Sequence, residues 1–165
     1  MDQSNLECRT FLLKDYCEDI LFALQPKLKQ TPHTVTVSGD EDLQITSYPG
    51  AISQIIANLI TNSITHAYPQ STSWQLQLNI SQQDEQIVIT YQDDGCGILP
   101  EHLDKIFDPF FTTARNRGGT GLGLNIVYNL VTQKLSGQLD VQSTMGQGTM
   151  FTLILPKVVF THESE

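Results

Sequence analysis

GGTGLGLNIVYNL, residues 118–130, sets four glycines (Gly118, Gly119, Gly121 and Gly123) within six positions and then runs straight into an amphipathic helical pattern. A glycine inside a regular element costs roughly 0.5–1 kcal/mol relative to alanine, so this density calls for a compensating use. Glycines ahead of a helix leave backbone N–H groups free to surround an anion, and the helix dipole adds partial positive charge at the same place. No Lys-Ser/Thr follows, which excludes the P-loop pattern. No strand leads directly in, which excludes the dinucleotide fingerprint. A flexible linker into a helix is the plainer alternative.

Upstream lies DDGCGILPEHLDKIFDPFFTTARNRGG (93–119), irregular apart from one short helix expected at 101–106. Loops longer than about 12–15 residues in a compact domain usually have a functional reason, and an active-site lid is one. On either side the apolar residues alternate. WQLQLNIS (74–81) and QIVITYQD (86–93) read as a hairpin through QQDE, and GQLDVQST (137–144) and GTMFTLILP (148–156) as a second. HTVTVS (33–38) and LQITSY (43–48) also alternate, with GDED (39–42) as the turn between them. Helical spacing marks 11–25, ended by Pro26, then AISQIIANLITNSITHA (51–67) and 122–135, closed at Ser136-Gly137. Strands joined by hairpins predict an α+β two-layer sandwich: a mixed, mostly antiparallel sheet with three main helices on one face.

The length, 165 residues, suits one domain. The expected limits are a linker stub over 1–10, the domain over 11–156 and a tail over 157–165. A net charge of −9 repels phosphate backbones and argues against nucleic acid as a partner, without excluding a small phosphate held by amides. Cys8, Cys17 and Cys96 show no metal spacing, as in a reduced compartment. No run of about 18 apolar residues occurs, and MDQSNLECRT does not resemble a signal peptide. A cytoplasmic setting is expected, with no direct membrane contact from this chain, whether or not a longer parent protein is membrane-bound.

Two further constellations carry chemistry. Asn58, Asn62 and His66 recur every four residues on the second helix and form one polar stripe. Asparagine is a poor helix former. A pair of amide oxygens aimed at a hydrated Mg²⁺ is one reading, and a solvated face ending in a surface histidine is the other. DDGCGI (93–98) ends a strand, where Asp93 can accept from an exocyclic amine while Gly95 and Gly97 admit a flat ligand. An ordinary Asp-Gly turn is the competing reading.

Taken together, in order, these segments resemble the ATP-binding catalytic domain of a sensor histidine kinase, simple or hybrid. That domain belongs to the GHKL (Bergerat-fold) superfamily, which also holds type II topoisomerase, Hsp90 and MutL ATPase domains. NLITNS (58–63) resembles the N box, DDGCG (93–97) the G1 box, FDPFF (107–111) the F box and GTGLGL (119–124) the G2 box; GQGT (146–149) resembles a further glycine box. The resemblance spans about residues 11 to 156.

The resemblance implies ATP and Mg²⁺ as cofactors. Asn62 takes the place of the Mg²⁺-binding asparagine and Asn58 of the polar residue one turn earlier. Asp93 would hydrogen-bond the adenine amino group, with Gly95, Gly97, Ile98 and Thr149 around the base. Residues from about 99 to 120 would form a lid anchored by Phe110 and Phe111. Gly119, Thr120, Gly121, Leu122, Gly123 and Leu124 would meet the phosphates, joined from the lid by Thr112, Thr113 and Arg115. Thr65 and Ala114 stand where many relatives have lysine. His66 is then a candidate for phosphate contact, the alternative being a helix-end histidine without a ligand. Arg115 and Arg117 are the nearest lid cations, or merely solvated ones.

The family's chemistry passes the γ-phosphoryl group to a histidine on a separate helical hairpin. His33, His66, His102 and His162 do not lie in an HELRTPL-like context, so that hairpin is expected as a partner domain, with a response regulator as an indirect partner. On this reading the chain alone holds no catalytic acceptor and is inactive as an autokinase. The alternatives are a clamp-type ATPase, an ATP-sensing docking module and an anti-sigma-type serine kinase. Clamp-type ATPases carry a glutamate where this chain has Asn58, which is not a general base.

Overall fold

The structure is a computed structural model, and it describes residues 7–30, 33–67, 74–112 and 121–159. In chain order the elements are β1 (Arg9–Leu12), α1 (Leu13–Ala23), α2 (Gln25–Leu28), β2 (His33–Gly39), β3 (Gln44–Ser47) and α3 (Pro49–Asn62). They continue with β4 (Trp74–Gln83), β5 (Gln86–Asp93), α4 (Gly123–Asn129), β6 (Gln138–Thr144) and β7 (Gly148–Pro156). α3 and α4 run on as π-helical turns over Ser63–Ala67 and Leu130–Lys134. Five strands form one sheet in the order β2-β4-β5-β7-β6, parallel at β2–β4 and antiparallel elsewhere.

Period-two alternation builds the core. Leu78, Tyr91 and Phe151 face one another across β4, β5 and β7, and Ile80, Ile89 and Leu153 form the next row. All six are buried against the helices. On those helices Leu13, Cys17 and Ile20 of α1, Ile52, Ile55, Ile56, Leu59 and Ile60 of α3, and Val127 and Val131 complete the layer. Each large side chain removed from water contributes on the order of 1.5–3 kcal/mol before entropy is charged. The same periodicity fixes the site. Continuing the inward sequence Ile87, Ile89, Tyr91 brings Asp93 to the helix-facing side, in one row with Leu76 and Thr149. A carboxylate therefore closes the end of an otherwise apolar layer.

Both expected hairpins, β4–β5 and β6–β7, form. Four expectations need correction. Residues 33–38 and 43–48 do not pair with each other. β2 lies parallel to β4, while β3 pairs with β1. Gly39, at φ +146°, packs so close to the Ile80 carbonyl that a Cβ there would lie 2.6 Å from its oxygen, and the chain then leaves the main sheet. The first helix begins at Leu13, because residues 9–12 are spent on β1. Pro26 opens α2 from its first turn, where its missing N–H costs nothing, so it starts a helix as well as ending one. The short helix expected at 101–106 is a single 3₁₀ turn, Pro100–His102. Thr46 exchanges backbone hydrogen bonds with Lys157 and Val159, each 2.8 Å.

Candidate functional site

The site lies where α3, α4 and the ends of β5, β6 and β7 meet. Its floor is Asp93, 3% exposed. Oδ1 accepts the Gly95 and Thr149 N–H groups at 3.1 Å each, and Oδ2 accepts the Ser63 hydroxyl at 2.9 Å. Burial raises the Asp93 carboxyl above the usual range, and these three hydrogen bonds pull it back down. Gly148 is required at this corner, since a Cβ on it would lie 2.1 Å from the Asp93 carbonyl oxygen.

Ser143 of β6 holds the next layer. Its hydroxyl accepts the Ile98 N–H at 2.8 Å, donates to the Gly148 carbonyl at 3.0 Å and lies 2.9 Å from the Thr149 hydroxyl. The segment leaving β5 is thereby tied to the β6–β7 turn. Gly97, at φ +81°, passes so near Thr144 that a Cβ would fall 2.4 Å from its carbonyl oxygen.

Two adjoining cavities open beside residues 96–99, which follow Asp93 in the chain. The larger, about 260 Å³, is walled by Cys96, Gly97, Ile98 and Leu99 on one side and His102, Phe111 and Thr112 on another, with Met145 at its rim. The smaller, about 90 Å³, is walled by Asn58, Thr61, Thr65, Gly121 and Gly123. Asn62, His66, Ile106, Phe111 and Leu124 border both. Asp93, Gly95 and Thr149 border neither. The smaller cavity is polar where it counts. The Asn58 Nδ2 is buried without a hydrogen-bond partner, and a Cβ on Gly123 would meet only open space.

Phe110 and Gly121 close the base of the expected lid. The Phe110 N–H donates to the Gly121 carbonyl at 2.8 Å, and both residues have positive φ, +68° and +76°. Phe111 packs edge-on to His102, ring centroids 5.3 Å apart, while Phe110 is 62% exposed. The Asn125 amide donates to the Phe107 carbonyl at 3.0 Å and fastens α4 to the same segment. The His66 Nε2 lies 3.4 Å from the Thr112 hydroxyl. Leu122, 36% exposed, immediately precedes α4.

Of the expected residues, Asn58, Asn62, His66, Gly97, Ile98, Thr112, Gly121, Gly123 and Leu124 line the two cavities. Thr113, Arg115, Arg117, Gly119 and Thr120 lie outside the described residues. Sequence reading missed Ser63, Tyr91 and Ser143. Ser63 and Ser143 are ordinary in composition: the packing of the α3 end on the sheet brings Ser63 to the carboxylate, and strand register sets Ser143 beside Thr149. The Asn-Ser pair at 62–63, followed by a helix that widens into a π turn, was the available signal.

Residues 48–159 match the family described as histidine kinase-, DNA gyrase B- and HSP90-like ATPases. The chain belongs to that family. Within it the similarity runs to sensor kinases. Sensor histidine kinase ZraS of Salmonella typhimurium is 32% identical over 156 residues, covering 94% of this chain and 32% of that protein. The autoinducer 2 sensor kinase/phosphatase LuxQ of Vibrio cholerae is 45% identical over 109 residues, 64% of this chain and 13% of that protein. The chain thus spans a third or less of these relatives. The solved catalytic domain of histidine kinase ThkA shares the fold, with a TM-score of 0.80 at 24% identity over 92% of this chain and 97% of that one. The chain is an ATP-binding catalytic domain of the histidine kinase type.

Proposed function

We propose that this domain binds Mg-ATP across the two cavities and donates the γ-phosphoryl group to a histidine on a separate helical hairpin, for onward passage to a response regulator in two-component signalling. One observation carries the reading. An unpartnered asparagine amide and two glycines line the smaller cavity, and the larger is lined by Gly97 and Ile98, a few residues past the hydrogen-bonded carboxylate of Asp93. Asp93 would take the adenine amine, with Gly95, Gly97, Ile98 and Thr149 framing the base. The backbone at Gly119–Leu124 would receive the phosphates, with His66, Thr112, Thr113 and Arg115 beside them.

The donor set suits Mg²⁺. Among the described residues no group of three or more His, Cys, Asp or Glu gathers to hold a metal, so Asn62, helped by Asn58, would hold a largely hydrated ion through amide oxygen. Bound Mg²⁺ would offset phosphate charge. The chain's own part is to fix the base, aim the terminal phosphate at the incoming imidazole and exclude water beneath the Phe110–Gly121 closure. No helix among the described residues is long and apolar enough to cross a membrane; we place the domain in the cytoplasm, as one part of a longer kinase.

The test supplies a histidine-bearing hairpin domain of a sensor kinase in trans with γ-labelled ATP. Acid-labile label on the hairpin histidine is expected. ADP release with no labelled protein would favour the clamp-ATPase reading instead.

A further inference from the structure

We propose that Ser63 and Tyr91 are positioning residues that hold Asp93 as an acceptor-only carboxylate, and that they thereby set this site's preference for a 6-amino purine over a 6-oxo purine. The inference rests on the adenine-binding reading above and names what enforces it.

The three groups form a directed chain. The Tyr91 hydroxyl donates to Ser63 Oγ at 2.8 Å, and Ser63 Oγ donates to Asp93 Oδ2 at 2.9 Å. Tyr91 and Ser63 have no exposed surface. A serine hydroxyl has one proton. With its oxygen already accepting from Tyr91, that proton goes to Asp93. A protonated Asp93 Oδ2 would instead point its own hydrogen at Ser63, leaving the serine proton without an acceptor in a buried site. The chain therefore opposes protonation of a carboxyl that burial pushes upward. The other groups facing Asp93 are the Gly95 and Thr149 N–H donors. Its β4 neighbour is Leu76, and among the described residues the charge that perturbs it is the adjacent Asp94.

Lone-pair counting turns this into specificity. A carboxylate offers about four acceptor positions. Gly95 and Thr149 take two on Oδ1 and Ser63 takes one on Oδ2, which leaves one on Oδ2 for a ligand. A 6-amino group brings an N–H to that position. A 6-oxo group brings a second lone pair and leaves the carboxylate unpaired, which is how a buried polar site rejects a near-isostere.

The test titrates the domain with ATP and ITP, which differ in this substituent and its ring proton, in the parent chain and in S63A, Y91F and the double variant, from pH 5.5 to 8. Y91F is isosteric, so it keeps the test valid where S63A leaves a void, and melting curves check folding. The parent should prefer ATP. S63A should lose about tenfold in ATP affinity, the equivalent of one charge-assisted hydrogen bond, with little change for ITP. Because the carboxylate has lost a donor, the ATP loss should set in at higher pH than in the parent. Y91F should give a smaller loss that disappears on the S63A background. Equal, pH-independent losses for both nucleotides would assign the pair a merely structural role and overturn the proposal. A parent chain that binds ATP and ITP alike would overturn the adenine reading itself, and the proposal with it.

Discussion

Replacing Gly121 by alanine probes the backbone contact between Phe110 and Gly121 that closes the lid base. A Cβ at this position would lie 2.1 Å from the Phe110 carbonyl carbon, 2.4 Å from its Cα and 2.5 Å from its oxygen. No side chain can yield there, because every atom in the way is backbone. The left-handed φ of +76° adds a penalty of about 1–2 kcal/mol for a residue with a side chain. Moving Phe110 away sacrifices the 2.8 Å hydrogen bond between its N–H and the Gly121 carbonyl, about 1 kcal/mol net. The total is about 2–3 kcal/mol, concentrated where Gly121 lines the smaller cavity. The chain can relieve it by separating the two ends of the lid, so the cost should fall on nucleotide binding more than on global unfolding. At about 1.4 kcal/mol per tenfold, affinity for a non-hydrolysable ATP analogue should drop roughly 30- to 150-fold by calorimetry. Gly123→Ala is the control. Its Cβ meets nothing within 4 Å, so the melting temperature should hold or rise slightly. Unchanged affinity in G121A, with an unchanged melting temperature, would refute the reasoning.

Three further substitutions separate the parts of the site. Asp93→Asn presents an amide donor in place of a carboxylate oxygen and should bring ATP and ITP affinities together; a preserved ATP preference in competition titrations would contradict the role. In the parent, ATP binding should fall as pH drops through the raised Asp93 carboxyl, hence from above the usual carboxylate range, and a profile flat down to that range would count against it. Asn58→Leu removes a buried amide nitrogen that lacks a partner, a relief of about 1–3 kcal/mol. It should raise the melting temperature by several degrees, at about 2–4 °C per kcal/mol, while weakening Mg-ATP binding. A lower melting temperature would mean that the amide is satisfied. Asn62→Asp adds a charge beside the phosphates and should change the Mg²⁺ dependence of binding; an unaltered metal titration would remove Asn62 from the ion.

Much of this was legible because it is periodic. The alternation in 74–81, 86–93 and 148–156 fixed which residues face the helices, and it carried Asp93 inward with them. The polar stripe Asn58–Asn62–His66 survived as a cavity wall although its helix loosens into a π turn after Asn62. What stayed hidden is non-local. Nothing in HTVTVS and LQITSY says that the first joins β4 in parallel and the second joins β1, because period-two patterning constrains faces and not partners. Ser63 looked like any small helix residue. Its function follows from standing opposite Tyr91 and Asp93, 28 and 30 residues away in sequence.

The most direct test of the account is calorimetry of the domain with a non-hydrolysable ATP analogue, with and without Mg²⁺. A single saturable site is expected, with an affinity that rises with Mg²⁺ and falls in both D93N and G121A. No binding at millimolar nucleotide, or binding indifferent to Mg²⁺ and to both substitutions, would contradict it.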